Sequence, residues 1–139
     1  METRKDYQLS TSVNDGIIEI IITGEITNST VDDLRNEVRT IAWSLNAKAL
    51  LVDVRAVKER LGVTEAYYGV RSYPTDRSRI STAVVDLPEH ETYQLFLETT
   101  AYNSGLRIKW FTNIDDARTW LKNMQGGDSE SGRGSNQGE

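Results

Sequence analysis

The chain has 139 residues, 37% of them apolar, a formal net charge of −5 and no cysteine. The missing cysteines exclude a disulfide framework and thiolate chemistry. The acidic balance argues against general nucleic-acid affinity, which needs a cationic footprint to displace counterions. No apolar run approaches the roughly 18 residues that span a bilayer, and the opening METRKDYQLS has no secretory h-region; a cytoplasmic, single-domain protein is expected.

In chain order, YQLSTSV, NDG and IIEIIIT form two β-prone runs around Asp-Gly turn chemistry, a predicted hairpin. In NSTVDDLRNEVRTIAWSL, residues Val31, Leu34, Val38, Ile41 and Leu45 recur at alternating spacings of three and four, one stripe of an amphipathic helix. Ser29 with Asp32 resembles a capping box for it. ALLVDV (49–54) is apolar without alternation, as a strand covered on both faces is.

TEAYYGVRSY reads as a short helix starting at Thr64 and stopped by Tyr73-Pro74. RISTAVVD (79–86) is the next strand. EHETYQLFLETTAYNSG is a helix expected to bury Tyr93, Phe96, Leu97 and Ala101 and to stop at Asn103-Ser104-Gly105. LRIKWF (106–111) alternates as a strand near the sheet edge does. TNIDDARTWLKNM is a helix capped near Thr112 or Asn113, with Ile114, Ala117, Leu121 and Met124 inward.

The order β-β-α-β-α-β-α-β-α predicts an α/β fold: a mostly parallel sheet of about five strands, an N-terminal antiparallel hairpin, and right-handed crossovers. The domain is expected over 1–125. The remainder, 126–139, carries three acids and one arginine and no large apolar side chain, and is expected to be disordered.

This element order, with Phe111, Thr112, Asn113, Asp115, Asp116, Ala117, Trp120 and Leu121 at the last strand–helix junction, resembles the STAS domain family (sulphate transporter and anti-sigma factor antagonist, SpoIIAA-like), including its bacterial STAS/SEC14-type members. The resemblance implies a SpoIIAA-like fold and a regulatory role through protein–protein interaction. In the anti-sigma antagonist branch, the loop after the third strand carries an Asp-Ser-Ser-Gly motif with a phosphorylated serine. Here RLGVT (60–64) falls at that place, the motif is absent, and Thr64 is the hydroxyl at the helix start.

The same junction draws the candidate site from the residues themselves. Ligands dock at the carboxyl ends of strands in open α/β sheets, and the helix N-termini expected at Thr64, Glu89 and Asn113 face that edge. Thr64 is either a helix cap or a possible phosphoacceptor. Arg55, Lys58, Arg60, Arg71, Arg77 and Arg79 outnumber Glu59, Glu65 and Asp76 across 55–79, a local surplus of three positive charges. The expected surface is the loop 55–63 with the helix start: Arg60 as an electrostatic contact, Gly62 permitting close approach, and Val63 and Tyr67 as apolar anchors.

A protein partner is the first expectation. A small anionic ligand or lipid headgroup at the same edge, walled by Arg71, Arg77 and tyrosines, is the alternative. Arginines merely solvating a surface would look the same.

Other patterns are weaker. Asp86, Glu89, His90 and Glu91 are spaced as a metal site could be, but acids also favour a helix's first turn. A single histidine leaves little for acid–base catalysis, so no enzyme is expected. Tyr67, Tyr68, Tyr73, Tyr93, Tyr102 and Trp110 could line a cavity or simply pack the core. Gly24 and Gly62 are isolated, giving no phosphate-binding run. No pattern calls for a cofactor, and the hairpin's outer strand offers an edge for a homodimer.

Overall fold

The computed structural model describes residues 6–71 and 80–129. The hairpin consists of β1 (Tyr7–Asn14) and β2 (Ile17–Gly24), closed by Asp15 and Gly16 at φ of 55° and 81°. That left-handed pair matches the twist of the strands it joins. Parallel strands β3 (Ala49–Val57), β4 (Ser81–Val85) and β5 (Arg107–Phe111) follow, and the sheet order is β1-β2-β3-β4-β5. The helices are α1 (Val31–Ser44), α2 (Val63–Arg71), α3 (Glu91–Asn103) and α4 (Ile114–Ser129), with a 3-10 turn at Pro88–His90.

Each crossover steps one strand in the same direction, so crossovers of one hand put α1, α2 and α3 on a single face of the sheet. Ile18, Ile20, Ile22, Leu50 and Val57 meet Leu34 of α1 there. On the other face α4 lies alone, with Ala117 and Leu121 against Ile17, Ala49, Leu51, Ala83 and Val85. Asn113 caps α4, its Oδ1 accepting from the backbone N–H groups of Asp115 (2.8 Å) and Asp116 (3.0 Å).

Several local expectations change. β3 runs through Val57 rather than ending at Val54. Its register against β2 slips between Ile21 and Thr23, where Asp53 pairs with Ile21 but Ala56 with Thr23. This bulge keeps Asp53 and Arg55 on the α4 face and returns Val57 to the three-helix face. At the start of α1 the capping box does not form: Thr30 holds the cap position, its Oγ1 accepts from Thr27 N–H, and Asp32 pairs with Arg35. Leu45, just past the end of α1, is exposed.

In α3 the inward residues are Gln94, Thr100 and Ala101, while Phe96 is exposed. The helix α4 continues to Ser129. Residues 130–139, and Tyr73, Arg77 and Arg79 with them, lie outside the described residues.

Candidate functional site

The carboxyl edge of the parallel strands is organised by one buried ion pair. Asp86 follows β4 directly and is fully shielded from solvent. Arg60, from the β3–α2 loop, reaches it with Nε at 2.9 Å from Oδ2 and with a second, short contact from Nη2 to Oδ1. The remaining Arg60 donors go to the carbonyls of Val57 (2.9 Å), Glu59 (3.1 Å) and Val54 (3.1 Å). A guanidinium has five N–H donors, and all five are committed.

Asp86 also accepts from Leu87 N–H at 2.7 Å and Gln94 Nε2 at 2.8 Å. Burial alone would raise its pKa, but the Arg60 and Gln94 hydrogen bonds, with the Leu87 N–H and the Arg60 charge, hold it below the ordinary 3.8. The pair staples the loop to the end of β4 and the start of α3. Arg60 therefore turns inward, with 9% of its side chain exposed, and presents no charge at the surface as an electrostatic contact.

Arg55 lies elsewhere. It stands on β3, on the α4 face, and binds Asp53 through Nε (3.0 Å) and Nη2 (2.7 Å). Burial raises the Asp53 pKa, and the Arg55 bonds and charge outweigh it and lower the value. With 39% of its side chain exposed, Arg55 remains accessible, but the sheet separates it from the outer face of α2.

That outer face gathers the rest of the expected group. α2 starts at Val63, one residue earlier than expected, so Thr64 sits exposed within its first turn rather than at the cap. The Gly62 carbonyl accepts the Ala66 N–H at 3.0 Å, and a Cβ on Gly62 would meet nothing within 4 Å, so the loop backbone there is open. Val63 is 51% exposed and Tyr68 64%. Tyr67 packs edge-on to Tyr68 with ring centroids 5.4 Å apart, and lies 6.1 Å from Phe96 of α3. Arg71 sits 5.8 Å from the centre of the Tyr67 ring. Tyr68 and Phe96 complete this aromatic patch; a helical wheel of α2 places Tyr68 beside Thr64, but Phe96 comes from another helix.

Two solved structures share this architecture. An anti-sigma factor antagonist from Mycobacterium paratuberculosis aligns with a TM-score of 0.59 at 17% identity, over 84% of this chain and 94% of that one. An uncharacterised DUF3478-family protein from Shewanella loihica, described as having a SpoIIAA-like fold, aligns with a TM-score of 0.55 at 10% identity, over 87% and 98%. This chain has the SpoIIAA-like STAS fold. No protein-family model and no curated protein matches the sequence.

Within the SpoIIAA-like frame, the 86–91 acids do not converge: Asp86 is spent on Arg60, and His90 Nε2 lies 3.7 Å from Glu89. Among the described residues no group of three or more potential ligands could hold a metal, and no helix is long and apolar enough to cross a membrane. Of the aromatics, Tyr102 is exposed and Trp110 half-buried, while Tyr93 borders a cavity of about 560 Å³ between the three helices and the sheet. Of the aromatics that could line a cavity, Tyr93 borders this one; its other walls come from residues far apart in the chain.

Proposed function

We propose that this domain is a non-enzymatic regulatory module that binds a protein partner through the outer face of α2 and the loop before it. The observation that carries the reading is an apolar and aromatic surface, exposed Val63, Tyr68 and Phe96 around half-buried Tyr67, on a strand-to-helix junction tied down by the Arg60–Asp86 pair. Exposed aromatic anchors on a fixed backbone suit protein recognition, since little ordering entropy is lost on docking. The likeness to an anti-sigma factor antagonist supports the same direction.

Thr64, exposed in the first turn of α2, is the proposed phosphoacceptor. A phosphate there would be welcomed by the helix N-terminus while placing new charge in the middle of the docking face. The alternative at this edge, an anionic ligand or lipid headgroup, rests among the described residues on Arg71, since Arg60 is bound to Asp86.

The test is native mass spectrometry of the protein purified gently from its own cells, beside a Val63→Asp/Tyr68→Glu variant with an unchanged melting temperature. The expected result is a retained partner chain that the variant loses, with any phosphate-sized mass increase mapping to Thr64. Equal retention of that partner by the folded variant would remove this surface from the proposal.

A further inference from the structure

We propose that the cavity between α1, α2 and the sheet binds a small amphipathic anion: a carboxylate or phosphate monoester on an apolar body of roughly ten carbons, the size such a volume takes. The site is independent of the partner surface, which lies on the outer side of α2.

Size is the first argument. About 560 Å³ of space lies in a half-open cleft between the helices and the sheet, within the range of ordinary small-molecule sites. Burying the sheet face would be cheaper if α1 simply closed onto α2. The walls are the second. They are aliphatic from every side: Leu34 of α1, Val54 and Val57 of β3, Ala66 and Val70 of α2, and Leu97 of α3. Such a lining favours a ligand with an apolar body.

Charge supplies the third argument: apart from Arg60, which Asp86 matches, the cations at the cavity sit together on α1. Arg35 and Arg39, one helical turn apart, both border the cavity. Arg39 Nη1 donates to Asn36 at 2.9 Å, but its Nε is buried and has no acceptor among the described residues. A buried donor without a partner costs free energy unless something supplies an acceptor.

Arg35 reaches across to α2 and lies against Gly69, where a Cβ would collide with its guanidinium. It pairs with Asp32, a solvent-exposed carboxylate 3.3 Å away that also borders the cavity, the kind of contact that a ligand anion readily displaces. Glu59 at the rim is exposed, and the Arg60 charge is already matched by Asp86. The cavity thus offers an apolar interior with an underused arginine pair at one side, the division of labour that binds a tail and a head.

The experiment is isothermal titration calorimetry of the full chain with sodium decanoate, decyl phosphate and decanol, each below its micelle or solubility limit. Decanoate or decyl phosphate should bind saturably at one site, and decanol at least tenfold more weakly, the worth of a hydrogen bond to a charged group. Preference between the two anions assigns the head as carboxylate or phosphate. Arg39→Gln should weaken the anion about tenfold and leave decanol unchanged. Ala66→Phe, which fills the cavity from α2, should abolish binding of all three, and Val70→Phe serves the same purpose if the first variant melts early. Absence of saturable anion binding, equal affinity for decanol, or full affinity in a folded cavity-filling variant would each overturn the proposal.

Discussion

Beneath α4, Ala49, Ala83 and Ala117 are wholly shielded from solvent, and Leu51, Val85 and Leu121 fill the space between them. The opposite face of the same strands, under α1, α2 and α3, keeps a cavity of about 560 Å³. Small residues at the α4 interface let a single helix lie close to the sheet, so little volume is left to fill. Three helices spread over the other face cannot all approach so closely, and polar devices hold them where packing does not. The Arg60–Asp86–Gln94 network ties the α2 loop to α3, and Tyr7 of β1 donates to Glu37 of α1 at 2.9 Å. The contrast separates a face closed by one helix from one whose apolar cluster under α1 leaves a half-open cleft beside it, bordered by a hydrogen-bonded network, and the second is where both proposed sites lie.

The sharpest way to break that contrast is Arg60→Met. Asp86 would keep Gln94 and Leu87 as donors but lose its countercharge while fully buried, a loss of about 3–5 kcal/mol. Urea titration should show it as a lowered midpoint. The double variant Arg60→Met/Asp86→Leu should recover much of the loss, since two apolar groups need no partner. Acid gives the same pair a pH signature. The folded pKa of Asp86 lies below its ordinary 3.8, so its contribution is complete above that value and is lost as pH falls through the lower folded value. Asp86→Asn should lack that component of the acid transition.

A smaller effect tests packing directly, with one substitution made on both faces. Ala117→Leu forces a larger side chain into the tight α4 interface and should cost about 1–3 kcal/mol. Ala66→Leu points at the cavity and should cost little or nothing, because the added atoms find space and apolar neighbours. Equal losses in the two melting curves would mean that the three-helix face is as tightly filled as the other.

The sequence made the element order legible where a pattern reports local geometry: the NDG turn, Val31 and Leu34 on α1 and the unbroken ALLVDV run. It failed where a residue's role depends on a distant partner. Arg60 looked like surface charge because Asp86 lies 26 residues away in sequence. Arg55 looked like loop because a bulge carries β3 further than its apolar run does. Phe96 was expected inside α3, but Asp86 needs a donor and Gln94 supplies it, which turns the helix so that Phe96 faces out. Asp86 itself carries a faint signal, a carboxylate ending an apolar strand run, the pattern of a buried acid as much as of a metal ligand. Val63, Thr64 and Tyr67 lie near one another because one helix holds them.

The mildest prediction concerns the far side of the three-helix face, where Tyr7 anchors α1 to the edge strand. Tyr7→Phe keeps the buried ring and removes only the hydroxyl that Glu37 accepts from, so the expected loss is about 1 kcal/mol. Alkali should reveal the same bond independently. Burial, the Glu37 hydrogen bond and the Glu37 and Asp33 charges push the Tyr7 pKa up to about 12 from 10.0. A group with a raised folded pKa contributes fully below its unfolded value and loses that contribution as pH rises through the folded one. The stability gap between wild type and Tyr7→Phe, measured by urea titration, should therefore be constant up to pH 10 and shrink steadily towards pH 12. A gap that stays constant over that range would show that the fold does not hold the phenol in its neutral form.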